Sequence, residues 1–258
     1  MKKGIILAFI LSLLASSAMA APLDDYSKAG NVGFSIYIIR SDMEDDRNGD
    51  GFHRVYSYGD KWSWGGELTI SFAPKWAVSF DYAQHKNKDK HFFSNIDRDD
   101  SMSSKLKSSN IKLKYQAYKN ERLFVAPYLG IAVNKLKQSH TSDWTRSGLG
   151  VVNFNFETKR KNSLLAGVTL VYGVDKESKF KTYFDAAVGS KVYSWNLGIS
   201  YEVAKNLDMD FGYRYYKAKG MGYHYPDTGV GALVFLGDHG KIDSTSKGIY
   251  FGLSYKFT

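Results

Sequence analysis

From about residue 31 the chain alternates apolar and polar side chains with a period of two, in stretches broken by turn-forming residues. The last stretch is the clearest. Ile249, Phe251, Leu253, Tyr255 and Phe257 share one face, while Gly248, Tyr250, Gly252, Ser254 and Lys256 share the other. Before it, Tyr193, Trp195, Leu197, Ile199, Tyr201 and Val203 alternate with Ser194, Asn196, Gly198, Ser200 and Glu202. After Ala204, Lys205 and Asn206 the chain turns. Leu207, Met209, Phe211, Tyr213 and Tyr215 then alternate with Asp208, Asp210, Gly212 and Arg214.

The same pattern recurs upstream. Apolar rows run through Val32 to Ile38, Trp64 to Phe72, Trp76 to Tyr82, Ile111 to Ala117, Leu123 to Val133, Ala166 to Val174 and Phe180 to Val188. These units predict an all-β chain: a transmembrane antiparallel up-and-down β-barrel of ten strands, an even number. An eight-stranded barrel is the alternative, but it turns 161–189 into loop and discards two well-patterned strands. Pro127 falls inside a strand and cannot donate to the ladder, so a bulge or an early loss of pairing is expected there.

Connections fall into two classes. Those near 74, 120, 176 and 205 are short; those over 41–61, 86–107, 138–160 and 218–246 are long, and Gly189–Lys191 is tight. Short turns at one end and long loops at the other suit such a barrel. Aromatic residues also band at two rims. Trp62, Trp64, Tyr82, Tyr193, Trp195, Tyr213 and Tyr215 lie at one; Phe72, Trp76, Tyr201, Tyr255 and Phe257 lie at the other. Amphipathic rings prefer membrane interfaces, so the bands read as girdles.

The first residues assign an export route. Lys2 and Lys3 precede an apolar run from Ile5 to Leu14, and Ala18-Met19-Ala20 offers a small-x-small cleavage site. Residues 1–20 are thus expected to be a signal peptide cut after Ala20, with 21–258 as one barrel domain placed in the cell outer membrane. Ala21 in the periplasm then puts the long loops at the cell surface. Loss of two lysines takes the formal charge from +9 to +7.

Composition agrees. The chain holds 19 tyrosines, 16 phenylalanines and 24 glycines with only 4 prolines, which favours strands. A mean hydropathy of −0.35 is low for a membrane protein, but a barrel turns only alternate residues to lipid. Cysteine is absent, which argues against a disulfide-stapled domain and thiolate metal sites.

The segments Trp195–Val203, Leu207–Tyr215 and Gly248–Phe257 resemble the penultimate hairpin and closing strand of the opacity-protein and small outer-membrane β-barrel families. The resemblance spans Asn31 to Phe257 and implies architecture, not an activity. It implies an outer-membrane lipid environment and recognition of the closing strand by the outer-membrane assembly machinery. Many members end on an aromatic residue, whereas Thr258 follows Phe257 here; many also have eight strands.

The second face of each strand carries Glu67, Asp81, Lys112, Lys114, Lys181, Asp185, Glu202, Asp208, Asp210, Arg214 and Lys256. In a narrow barrel these side chains either line a small hydrophilic pore or pair into a plug; buried charges must be paired, which favours the plug. Arg214 is the expected hub, its fork reaching Asp208, Asp210 or Glu202.

Outside the strands, Asp46, Asn48 and Asp50 with Gly51 match the opening half of an EF-hand loop, but Ser57 stands where the closing Glu belongs. A polar turn explains them, and no metal or other cofactor is expected. The acids Asp97, Asp99 and Asp100, with Asp238-His239 and His224 before Asp227, superficially resemble the acid pair and Asp–His dyad of omptin proteases. The connection that should carry the dyad is the tight one at Gly189–Lys191. Lipid A deacylation requires a Ser–His pair on the lipid-facing wall; His85 lies at a strand end and the histidines read as solvated.

The basic run His85–Lys90 would meet anionic lipopolysaccharide outside the cell, whereas nothing supports nucleic-acid binding. Residues 230–236 are oddly apolar for a loop and suit a lid or an adhesive patch. The leading expectation is a structural or surface-interaction barrel that meets an external ligand through its loops. A small channel comes second and a hydrolase third.

Overall fold

The computed structural model describes residues 24–49, 52–94, 99–144, 150–174, 179–224 and 239–257. The expected leader and the apolar run 230–236 lie outside these residues. Twelve strands follow in order: β1 (Val32–Gly49), β2 (Phe52–Ala73), β3 (Trp76–Ser94), β4 (Asp99–Tyr115), β5 (Tyr118–Lys119), β6 (Leu123–Trp144), β7 (Gly150–Glu157), β8 (Lys161–Gly173), β9 (Phe180–Gly189), β10 (Val192–Ala204), β11 (Leu207–His224) and β12 (His239–Phe257).

Ten of them close an antiparallel barrel. Each pairs with its neighbour in sequence, β4 pairs directly with β6, and β1 meets β12 with Val32 opposite Phe257. The remaining two are short additions. β5 caps the end of β6, and β7 continues the β8 arm upward beside β6 after a break at residues 158–160. Thr158 bridges that break, its amide and hydroxyl both bonded to the backbone of Leu136. The ten-strand reading therefore holds.

Local chemistry sets the short turns. The β2–β3 turn places Lys75 at φ +69°, and the β10–β11 turn places Asn206 at φ +65°. Each follows a one-residue register shift, the geometry of a hairpin closed by a left-handed residue. Pro127 behaves as its missing N–H requires. Pairing of β6 with β4 stops at Tyr128, while pairing with β8 runs through Pro127 without a shift.

The alternation reads out as expected at the short-turn end. Outward residues include Ile36, Phe80, Ile111, Leu129, Leu197, Phe211 and Phe251; inward ones are mostly polar, small or tyrosine, with Ile39, Phe124, Leu165 and Val171 as apolar exceptions. The aromatic bands all face out: Trp62, Trp64, Trp76, Trp195, Tyr201, Tyr255 and Phe257 are exposed, and Tyr82, Tyr213 and Tyr215 half-buried. Trp195 stacks on Tyr213 and Tyr215 with centroids 5.4 and 5.9 Å apart.

The four long connections differ from expectation. They are not loops: most of 41–61, 86–107, 138–160 and 218–246 is strand, so the barrel continues far past the upper girdle. The polarity of its faces reverses there. On β4 the outward row changes from Ile111 and Ser109 to Lys107 and Lys105, while the inward row changes from Lys112 and Asn110 to Leu106 and Met102. On β6, Ile131 and Val133 give way outside to Lys135 and Lys137, and Leu136 turns in. Met43, Tyr56, Tyr58, Met102, Leu106, Leu136, Met221 and Ile242 make a buried apolar core in this upper part. Lipid thus lies against the lower wall and water against the upper.

Asp46 and Asn48 do not form the expected polar turn: they sit on β1, in ladder register with Val55 and His53, where the backbone is extended. Asp50 lies outside the described residues.

Candidate functional site: a charged lumen closed from below

Inside the lower barrel, four tyrosines lie flat against the wall, each over a glycine directly opposite it. The pairs are Tyr37–Gly65, Tyr128–Gly167, Tyr183–Gly198 and Tyr250–Gly212. A Cβ at any of these glycines would overlap the ring. The rings thereby occupy space in a narrow lumen, and their hydroxyls bond lumen groups, Tyr37 with Arg214, Tyr128 with Asp185, and Tyr183 with Tyr250.

Between them lies the middle charge cluster. Lys112 stands between Asp81 at 3.8 Å and Asp185 at 3.7 Å. Arg214 donates to Asp81 at 3.4 Å and to the Tyr37 hydroxyl at 2.5 Å. Lys114 donates to Glu67 at 2.7 Å, and Ser79 and Thr69 also donate to that carboxylate. The Tyr128 hydroxyl and Thr169 donate to Asp185 at 2.9 and 2.6 Å. Three acids face three bases, so the cluster is neutral, and burial of each ion is offset by a direct partner.

Arg214 is central, but its partners are not the expected ones. Asp208, Asp210 and Glu202 all lie nearer the short-turn end. Asp208 binds Lys256 at 2.8 Å, Asp210 accepts from Ser254 at 3.4 Å, and Glu202 is half-exposed and accepts from the Asn206 amide. Asp81 reaches Arg214 from across the barrel, a proximity that no spacing along β11 could reveal.

The lower mouth is closed by a segment the alternation does not register. Residues 24–31 fold under the barrel before β1 begins. Asp24 accepts from Lys181 at 2.6 Å and pairs with Lys256 at 3.3 Å, so two acids, Asp24 and Asp208, balance two lysines. Tyr26 is fully buried against Phe124, edge to face at 5.1 Å, and its amide donates to the Gln116 side chain. The Lys75 amide donates to the Tyr26 carbonyl at 2.6 Å, and Gly30 and Asn31 bond the backbone of Ser71. Burial alone raises the Asp24 carboxyl pKa, but Lys256 and Lys181 outweigh it and hold that carboxyl well below the usual range. The only sequence signal for this strap is two acids placed just ahead of the first strand. A cavity of about 320 Å³ remains beside it, lined in part by Asp24, Lys119, Lys181, Asp208 and Lys256.

His85 also departs from expectation. It is fully buried, hydrogen-bonded to Ser246 at 2.8 Å and stacked beside Tyr216, because β3 runs on to Ser94 and places residue 85 mid-strand on the inward face. Asp99 and Asp100 lie on β4, and His224 faces His239 in the β11–β12 ladder. Asp97, Asp227 and Asp238 fall outside the described residues, as do the side chains of Asp99, Asp100, His224 and His239.

Residues 6–257 match the family model described as outer membrane protein beta-barrel domain. The chain belongs to this outer-membrane β-barrel family. No protein of curated function matches it in sequence. Among solved structures it is similar to the outer membrane protease OmpT of Escherichia coli, with TM-score 0.52, 11% identity, and coverage of 94% of this chain and 100% of that one. It is also similar to OprG of Pseudomonas aeruginosa, with TM-score 0.39 and 17% identity over 89% of this chain and 97% of that one. Ail, the attachment invasion locus protein of Yersinia pestis, gives TM-score 0.34 and 14% identity over 89% and 99%. At such identities the likeness to OmpT is one of fold alone. This family member is an outer-membrane barrel, with its lower wall in lipid.

Proposed function

We propose that this barrel does not conduct and acts at the cell surface, presenting its tall hairpins to external partners. The supporting observation is the filled lumen. The strap closes the lower mouth and contributes Asp24 to the lower of two charge-balanced clusters, the second lies above it, and the apolar core of Met43, Leu106 and Leu136 fills the upper part. Orientation follows from the same asymmetry, with strap and short turns in the periplasm and hairpins outside.

A gated channel is the second reading, favoured by the cavity beside Asp24, which would widen if the strap left its seat. No hydrolytic role is proposed. The connection that carries the dyad in the omptin pattern is here the turn at Ser190 and Lys191, between β9 and β10.

Planar-bilayer recording of the refolded full chain tests this. Silence at neutral pH is expected. Discrete, reproducible openings of the unmodified protein would overturn the reading in favour of the channel.

A further inference from the structure

We infer that the outer wall of β3, β4 and β6, just above the lipid-facing band, binds the phosphate groups of outer-leaflet glycolipid, that is, of lipopolysaccharide. Two rows of the ladder carry the argument. Gln84, Lys107 and Lys135 are in register across the three strands, and the next row up is Lys86, Lys105 and Lys137. Lys88 stands above them on β3. All six lysines point outward.

Directly opposed residues in a sheet have Cβ atoms about 5 Å apart, and like charges so placed repel. Here the lattice opposes lysine to lysine three times: Lys86 to Lys105, Lys105 to Lys137, and Lys107 to Lys135. Glu157 on β7 answers only two of the six, pairing with Lys135 at 2.5 Å and Lys137 at 3.7 Å. Among the described residues no acid lies within ion-pair distance of Lys86, Lys88, Lys105 or Lys107. The wall therefore holds an array of ammonium groups whose own neighbours add to its positive potential, and an external anion relieves it.

Height selects the anion. The rows begin one step above Tyr82, Ser109 and Val133, where the outward face stops being apolar and Leu106 and Leu136 turn inward. That is the level of lipid headgroups. The β1 wall differs in sign: past Ile38 its outward row is Arg40, Asp42, Glu44 and Asp46, three acids to one base. Phosphates carried on membrane-anchored sugars meet this wall without leaving the bilayer. Clustered lysines at a membrane surface are drawn to anionic headgroups, and the attraction falls off within a Debye length. The site does not depend on whether the lumen conducts.

The test is retention of lipid by the refolded full chain after exchange into detergent, read by native mass spectrometry. Lipopolysaccharide is offered alongside its enzymatically dephosphorylated form and inorganic phosphate. The unmodified barrel should keep the phosphorylated lipid and lose it in high salt. Lys86→Gln/Lys105→Gln/Lys107→Gln should retain at least about tenfold less. Lys217→Gln/Lys241→Gln/Lys247→Gln, which removes equal charge from the β11–β12 wall, should retain as much as wild type. A Lys→Arg triple at 86, 105 and 107 should restore binding, and heat-modifiable gel mobility checks that every variant is folded. Equal retention by the two Gln triples, or equal retention of the dephosphorylated lipid, overturns the proposal. Capture of inorganic phosphate alone also overturns it, since it would show an anion site with no preference for lipid.

Discussion

Tyr37 of β1 lies directly opposite Gly65 of β2, and its ring fills the space a side chain at residue 65 would need. The ring delivers a hydroxyl to Arg214, which in turn reaches Asp81 across the barrel. A missing Cβ on one strand thereby positions an ion pair between two others.

Gly65→Ala should therefore destabilise the barrel by about 1–3 kcal/mol, the usual cost of overpacking. Gly59→Ala, where nothing lies within 4 Å of the added carbon, should be close to neutral. Urea midpoints of the refolded protein, followed by heat-modifiable mobility, distinguish the two. Equal midpoints for both variants refute the wedge.

Arg214→Ala leaves Asp81 with only the more distant Lys112, and removing one partner of a buried pair costs about 3–5 kcal/mol. Combining it with Asp81→Asn should recover much of that loss. Urea titration of the single and double variants gives the coupling directly, and simple additivity would mean that the two groups act independently.

The strap should release in acid. The folded pKa of Asp24 is depressed, so its contribution is present above the unfolded value, near 3.8, and is lost as pH falls through the folded one. A fluorophore on Ser27→Cys should report a seated strap at pH 7 and growing exposure below about pH 4. Asp24→Asn should expose it already at pH 7. A signal flat from pH 7 to pH 2 in the parent protein contradicts the pairing with Lys181 and Lys256.

Reversal of the two faces is open to spin labelling. Labels at Leu197 and Phe211 should meet lipid-soluble oxygen, while labels at Asn196 and Gly212 should be shielded. Above the boundary, a label at Lys105 should be reached by aqueous relaxants and one at Leu106 by neither. Leu106→Ala should cost about 2–5 kcal/mol although it lies beyond the lipid. Water access at residue 106 would restore the loop reading.

The lower barrel was legible because lipid imposes one rule on every strand, apolar out, so rows such as Leu197 to Val203 announce themselves. The upper barrel was hidden because the rule inverts there. Lys105, Leu106 and Lys107 still alternate, but with the apolar residue inside and polar ones on the face just left, and the sum reads as a hydrophilic loop. The inward charges were legible as a set, from parity alone. Their partners were not, since Arg214 and Asp81 sit on strands far apart in the chain. Asp24 and Tyr26 lie in no periodic stretch, so pattern could not reach them.

Eleven residues of β6 continue beyond Val133 as paired strand, a rise of about 25–30 Å at ordinary strand tilt. An arm so braced has already surrendered its conformational freedom during folding. Whatever docks against it forfeits little entropy in doing so, and a small contact area can then hold where a floppy tether of equal length could not.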